Sequence, residues 1–259
     1  LVGALVDVAL ANRTSGGLYR WEGRYLDDAD QAELLAQIGA VHDRLHRPLA
    51  RLRPGLTRRQ YLTLSTAVLS VVGSIVDHRV KLPAASVREL LIELAGAVAA
   101  VELPGEPAPA ESPAASPAPA PDPSTYEALL RESLILFHRH GYRDTSMEDI
   151  AAAVGIPASG IYKYFSGKAD ILAAVFRRAS DRVSGGLAAV VASAADPHEA
   201  LSGVIDSYVA RTFDQPELEY VYYTERLNMS AADQRIVHDL QRSVVESWVE
   251  LVVAVRPQW

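Results

Sequence analysis

The sequence predicts an all-α protein built as helical units on either side of a Pro-rich spacer. Three observations predict it. Apolar residues recur at helical spacing through most of the chain, no window alternates with period two between hairpin-type turns, and one stretch carries Pro at every second to fourth position. Apolar residues make up 49% of the 259-residue chain, enough for real cores. Every apolar run is broken by charge well before a bilayer could be crossed, so no membrane contact is expected. Cys is absent, which excludes disulfides, a thiol nucleophile and thiolate metal sites; a cytoplasmic location is the expectation.

The elements follow in order. The opening "LVGALVDVAL" lacks the basic flank of a secretion signal and reads as the middle of an amphipathic helix. With no initiator Met, the chain is expected to be a piece of a longer one. "RRQYLTLSTAVLSVVGSIVDH" is apolar on most faces and reads as a long helix. "ASVRELLIELAGAVAAV" carries Val87, Leu90, Leu91, Leu94 and Val98 at helical spacing. Residues 104–124, "PGEPAPAESPAASPAPAPDPS", block helix and supply no core, so they read as a semi-extended spacer reaching roughly 60 Å.

After the spacer comes a compact helical pattern. "STYEALLRESLILFHRHGY" sets Leu130, Leu134 and Phe137 on one stripe, and Gly141 is placed to stop that helix. In "TSME", Thr145 is expected to cap a second helix while Glu148 reaches back. Ile150, Ala151 and Val154 form its buried side, and Gly155 permits a sharp turn. Pro157 suits the first turn of a third helix, "ASGIYKYF", whose Ile161 and Phe165 face inward. That leaves Ala158, Ser159, Gly160, Tyr162 and Lys163 outside, with Tyr164 beside them. Small residues allow close approach to base edges, while Tyr162, Lys163 and Tyr164 can reach phosphates or bases. Lys168, heading the next helix, is expected to meet a phosphate.

As a set, "F…GY..TSMEDIAAAVGIPASGIYKYF..K.DIL" closely resembles the DNA-binding head of the TetR family of bacterial transcriptional regulators. The matching residues are Phe137, Gly141, Thr145, Ile150, Ala151, Gly155, Ile161, Tyr162, Tyr164, Phe165 and Lys168. Two departures are Tyr164, where the family more often has His, and Pro157, where it often has Ser or Thr. The resemblance implies a helix-turn-helix head at 125–172 followed by the start of a ligand-sensing domain at 173–259. It implies that Thr145, Ser159, Gly160, Tyr162, Lys163, Tyr164 and Lys168 bind a double-stranded operator. It further implies a repressor, dimeric, modulated by a small effector. Residues 1–103 resemble the sensing and dimerising part of another such protein, with the helices near 57–79 and 86–102 as its dimerisation pair.

An internal repeat supports that reading. Shifted by 203 positions, Tyr19 meets Tyr222, Glu22 meets Glu225, and Ala29-Asp30-Gln31 meets Ala232-Asp233-Gln234. Val41 meets Val244, and Arg53-Pro54 meets Arg256-Pro257. The chain is therefore expected to be a window on two TetR-like units in tandem, cut at both ends and able to work as a dimer or an intramolecular pseudo-dimer. The formal net charge of −7 is then carried mainly by sensing regions. An apolar cavity would hold the effector, with Tyr19, Arg20, Trp21, Glu22 and Arg24, or Tyr220, Tyr222, Tyr223, Glu225 and Arg226, as the polar and aromatic candidates. Glycine-rich phosphate loops, nucleophile elbows and metal-spaced His pairs are lacking; His138 and His140 stand two apart on different sides of a helix. No catalysis, metal or cofactor is expected. The competing expectation is a dimerisation or adaptor protein whose head no longer reads DNA.

Overall fold

The computed structural model describes residues 1–13, 23, 26–76, 81–105 and 124–257. These form two compact units, one before and one after the Pro-rich stretch, and every regular element among them is helical. No helix among the described residues is long and apolar enough to cross a membrane.

The first unit contains α1 (Val2–Ala11), α2 (Asp28–Leu52), α3 (Arg58–Gly73) with a 3₁₀ turn (Ser74–Val76), and α4 (Ala84–Ala100). Asp27 starts α2 by accepting the Asp30 N–H at 2.9 Å, with Asp28 and Asp30 favourably placed at the positive end of the helix. Thr57 and Gln60 cap α3 reciprocally: each side chain accepts the other's backbone N–H. α3 and α4 form an antiparallel hairpin over α1 and α2. Val6 of α1 is buried among Val72, Ile75, Val87 and Leu91, and Leu49 of α2 packs with Tyr61 and Leu64. Arg53 ties the ends together, donating to the carbonyls of Ala99 and Val101 at 3.1 and 2.6 Å, while Tyr61 Oη donates to Arg53 O at 2.7 Å. In α4, Val87, Leu91 and Ala95 make the buried stripe, and Leu90 turns outward.

The second unit contains α5 (Thr125–His140), α6 (Met147–Val154), α7 (Ala158–Ile161), α8 (Lys168–Ser193), α9 (Pro197–Asp214), α10 (Pro216–Glu225) with a 3₁₀ turn (Arg226–Asn228), and α11 (Ala231–Val255). One continuous core runs from Leu129, Phe137, Ile150 and Ile161 through Ile171 and Leu172 to Val221 and Val237. The first turns of α8 are thereby shared between the small helices on one side and α10–α11 on the other. Unlike the short helices, α8 extends far enough to pack also against α9.

At an offset of 203, α2 and α11 have the same bounds and the same length of 25 residues. Their C-caps, Arg53 and Arg256, share nearly the same backbone angles, φ −134 with ψ 69 and φ −133 with ψ 77.

Replacing Ile161 by Asp places an unpaired carboxylate at the centre of the α5–α8 core, a cost of several kcal/mol. The expected outcome is loss of cooperative melting of that region by circular dichroism, whereas Ile161→Val costs about 0.5–1.5 kcal/mol.

Candidate nucleic-acid interface

The geometry is set by two glycines and two caps. α5 stops at Gly141, whose φ of 85° lies where side chains are strained, and its N–H returns to Phe137 O. Gly155 ends α6 in the left-handed conformation, φ 76° and ψ 26°, so the chain reverses within two residues before Pro157 caps α7.

The cap of α6 lies one residue beyond its expected place. Ser146, not Thr145, accepts the N–H of Asp149 at 3.0 Å, and Asp149, not Glu148, accepts the Ser146 N–H at 2.9 Å. Thr145 is only 2% exposed, and its hydroxyl donates to Gly141 O at 2.8 Å, stitching the end of α5 to the turn. Burial of the threonine methyl and a carbonyl in reach inside win over a cap on the surface. "SMED" has the capping spacing too, so the sequence held this signal one position along.

The third helix is also shorter than the eight residues expected. Regular α-helix covers Ala158–Ile161, and Tyr162, Lys163 and Tyr164 follow as a tightened turn held by Lys163 N–H to Gly160 O and Tyr164 N–H to Ile161 O. Gly160 inside so short a helix weakens it. Ile161 and Phe165 are nonetheless buried as the spacing predicts, and Phe165 stacks on Tyr126 with ring centres 5.3 Å apart. Ser159, Tyr162, Lys163 and Tyr164 are exposed together on the opposite side. A Cβ on Gly160 would meet Ile156 and Pro157 only at ordinary van der Waals distance, 3.6 Å or more. The head's own packing therefore does not require glycine there, in contrast to Gly155.

Lys168 is placed differently from the free cation the sequence suggests. Its Nζ donates to Tyr142 O at 2.6 Å and Arg143 O at 3.2 Å and lies 4.6 Å from the centre of the Tyr142 ring. It neutralises the carbonyl end of α5 and fastens the α5–α6 turn to the start of α8. On the far side of the same turn sits Glu225, 4% exposed. Its Oε1 accepts the Tyr142 N–H at 3.4 Å and its Oε2 accepts Asn228 Nδ2 at 3.0 Å. Burial, then the charges of Glu225 and Asp170, push the Tyr142 hydroxyl above the ordinary tyrosine range. Sequence gave no signal for this junction, because Tyr142 and Glu225 are 83 positions apart. Two ion-pair groups extend it: Glu127 of α5 meets Arg178 and Arg182 of α8, and Arg177 of α8 meets Asp233 at the start of α11.

The remaining ligand candidates divide in two. Tyr19, Arg20, Trp21, Glu22 and Arg24 lie outside the described residues. Tyr222 is half-buried, donates its hydroxyl to Gln241 Oε1 at 2.6 Å, and packs edge-on against Phe176 and Tyr223, with Arg226 over both tyrosines. Two open grooves are lined by other residues. One, of about 350 Å³, lies among Tyr126, Glu127, Ala174, Arg177, Arg178 and Asp181; the other, of about 440 Å³, lies in the first unit beside His42, His46 and Tyr61.

An exposed face on a short helix, held by a core shared with α5, α6, α8, α10 and α11 and presented after a left-handed glycine turn, defines a helix-turn-helix unit. Residues 129–175 match the model of the tetR family of bacterial regulatory proteins. Two curated relatives, uncharacterized HTH-type transcriptional regulators of Mycobacterium tuberculosis strains CDC 1551 / Oshkosh and ATCC 25618 / H37Rv, are each 31% identical over 107 residues, 41% of this chain and 44% of theirs. The chain thus spans less than half the length of these relatives. Among solved structures, a TetR-family regulator from Bordetella parapertussis 12822 aligns with TM-score 0.48 and 19% identity over 52% of this chain and 70% of that one. The ketosteroid regulator KstR2 of Mycobacterium tuberculosis aligns with TM-score 0.46 and 23% identity over 51% and 67%.

Two outcomes follow for the head. Hydrogen bonds from Ser146 hold the Asp149 carboxyl below the usual carboxylate range. A depressed folded value stabilises above the unfolded pKa, about 3.9, and the gain is lost as pH falls through the folded value. An NMR titration should find Asp149 below its ordinary midpoint, and Ser146→Ala should move it part of the way back, since the backbone N–H bond at residue 146 remains. Glu225→Ala leaves the Tyr142 N–H without its carboxylate partner and should cost about 1–3 kcal/mol in urea unfolding.

Proposed function

We propose that the chain is a sequence-specific DNA-binding transcriptional regulator of the repressor type, with the α7 face as its reader. The observation that carries this is the joint exposure of Ser159, Tyr162, Lys163 and Tyr164 around a glycine the fold itself does not need. Tyr162 and Tyr164 can donate to phosphates or bases, Lys163 supplies the charge, and Gly160 admits the groove edge. Thr145 and Lys168 act at one remove in this reading, by shaping the turns that aim α7.

Two heads, from a dimer or from a tandem pseudo-dimer, would occupy half-sites one helical turn apart. A small, largely apolar effector would act by preferring one head spacing over another. An effector reaching Tyr222 or Glu225 would disturb the bonds that hold the α5–α6 turn, which gives the body a direct hold on the head. The alternative, an adaptor that no longer reads DNA, makes the opposite prediction in one assay.

Fluorescence anisotropy on DNA from upstream of the chain's own gene, with random DNA as competitor, tests the reading. Specific binding should survive the competitor and fall steeply with salt, by about three decades between roughly 50 and 200 mM if about six phosphates are contacted. Tyr162→Ala and Lys163→Ala should weaken binding with no change in melting. Gly160→Ala should keep or slightly raise stability and still weaken binding, because the added methyl meets DNA rather than protein. Salt-independent, competitor-sensitive signals would leave the adaptor.

A further inference from the structure

We infer that His42 and His46, in the first unit, form a site for a divalent transition-metal ion of the Zn²⁺ type. The inference does not depend on the DNA reading. The expectation that metal-spaced His pairs are lacking fails at one place: "HDRLH" sets two imidazoles four apart. Both lie within α2, so the spacing brings them one above the other on a single face, with Cβ atoms about 5–6 Å apart. Metal–imidazole bonds of about 2.0–2.1 Å can close across that gap.

The fold adds an orientation for each ring. Two residues of α3, one turn apart, meet the two histidines. His42 Nδ1 lies 2.9 Å from the Ser65 hydroxyl, and His46 stands edge-on to Tyr61 with ring centres 4.6 Å apart. Ser65 is 3% exposed and donates its own hydrogen to Leu62 O at 3.0 Å. Its oxygen is left to accept, so His42 carries its proton on Nδ1 and its lone pair on Nε2. A ring with one nitrogen held in this way and the other free is the usual state of a metal-binding histidine. Tyr61 does not compete for the ion, since its hydroxyl donates to Arg53 O at 2.7 Å.

Both rings border one open groove of about 440 Å³, and Asp43 and Arg58 line it with charges that cancel. No three His, Asp or Glu side chains converge on a metal position among the described residues, so the chain supplies two nitrogens and water supplies the other ligands. Two neutral imidazoles without a carboxylate cage suit Zn²⁺, Ni²⁺ or Cu²⁺, whereas Mg²⁺ and Ca²⁺ take oxygen ligands.

Zinc chloride titrated into the intact chain, followed by calorimetry and by NMR of the histidine rings, tests the inference. One saturable site should appear, with the His42 and His46 ring signals moving together and ahead of those of the other histidines. His46→Ala, at an exposed position, should leave the melting curve unchanged and abolish that site. Ser65→Ala keeps both ligands and should weaken binding by about ten- to a hundredfold, because the His42 ring is no longer held. Equal movement of all the histidine signals overturns the inference, since scattered surface imidazoles then hold the metal. So does zinc binding that survives His46→Ala or is untouched by Ser65→Ala.

Discussion

A helix of four residues cannot hold itself together in water, since nucleating a turn costs more than so few hydrogen bonds return. α7 exists because Ile161 is buried among Leu129, Ile150 and Ile171 and because Phe165 anchors the turn that follows. Everything presented on the outer side inherits its direction from that burial. Ser159, Tyr162, Lys163 and Tyr164 share a face because Ile161 and Phe165, four apart, occupy the other one. The same core includes the first turns of α8, so a change in α8 cannot leave α7 where it was.

The turn between α5 and α6 is the second place where head and body meet. Lys168 holds its carbonyls from one side and Glu225 holds its N–H from the other, with Tyr142 between them. A lysine on carbonyl oxygens and a carboxylate on an amide each satisfy groups that a helix end would otherwise leave orphaned. The arginine pairs around Glu127 and Asp233 are more exposed and screened, and they orient the long helices more than they stabilise them.

The two units share helix bounds at an offset of 203. At that offset Val6 is buried and Val209 exposed, while Leu45 and Leu49 are buried and their counterparts Trp248 and Val252 are half-buried. Extended to the first helix, the same offset pairs Val6 with Val209, and both look like ordinary helix-face valines in the sequence. Only the folded structure shows that Val6 is buried and Val209 exposed.

Much of the head was legible because its signals are local. Glycine at 141 and 155 is required by positive φ, and the stripe of Phe137, Ile150 and Ile161 follows from helical spacing, so the fold class, the helix-turn-helix and its inner and outer faces could all be read from residues within a few turns of one another. The cap at Ser146 was misplaced because two adjacent residues could serve as cap and packing chose which, and the third helix is shorter than its pattern because Gly160 weakens it. The roles of Thr145, Lys168 and Glu225 were beyond such reading. Each is decided by a partner that only folding brings near: a carbonyl at the end of α5 for Thr145, the turn carbonyls for Lys168, and an amide 83 positions away for Glu225. Periodicity determines which side of a helix is apolar; which polar side chain is spent inside and which is left for a partner depends on distances that exist only in the tertiary structure.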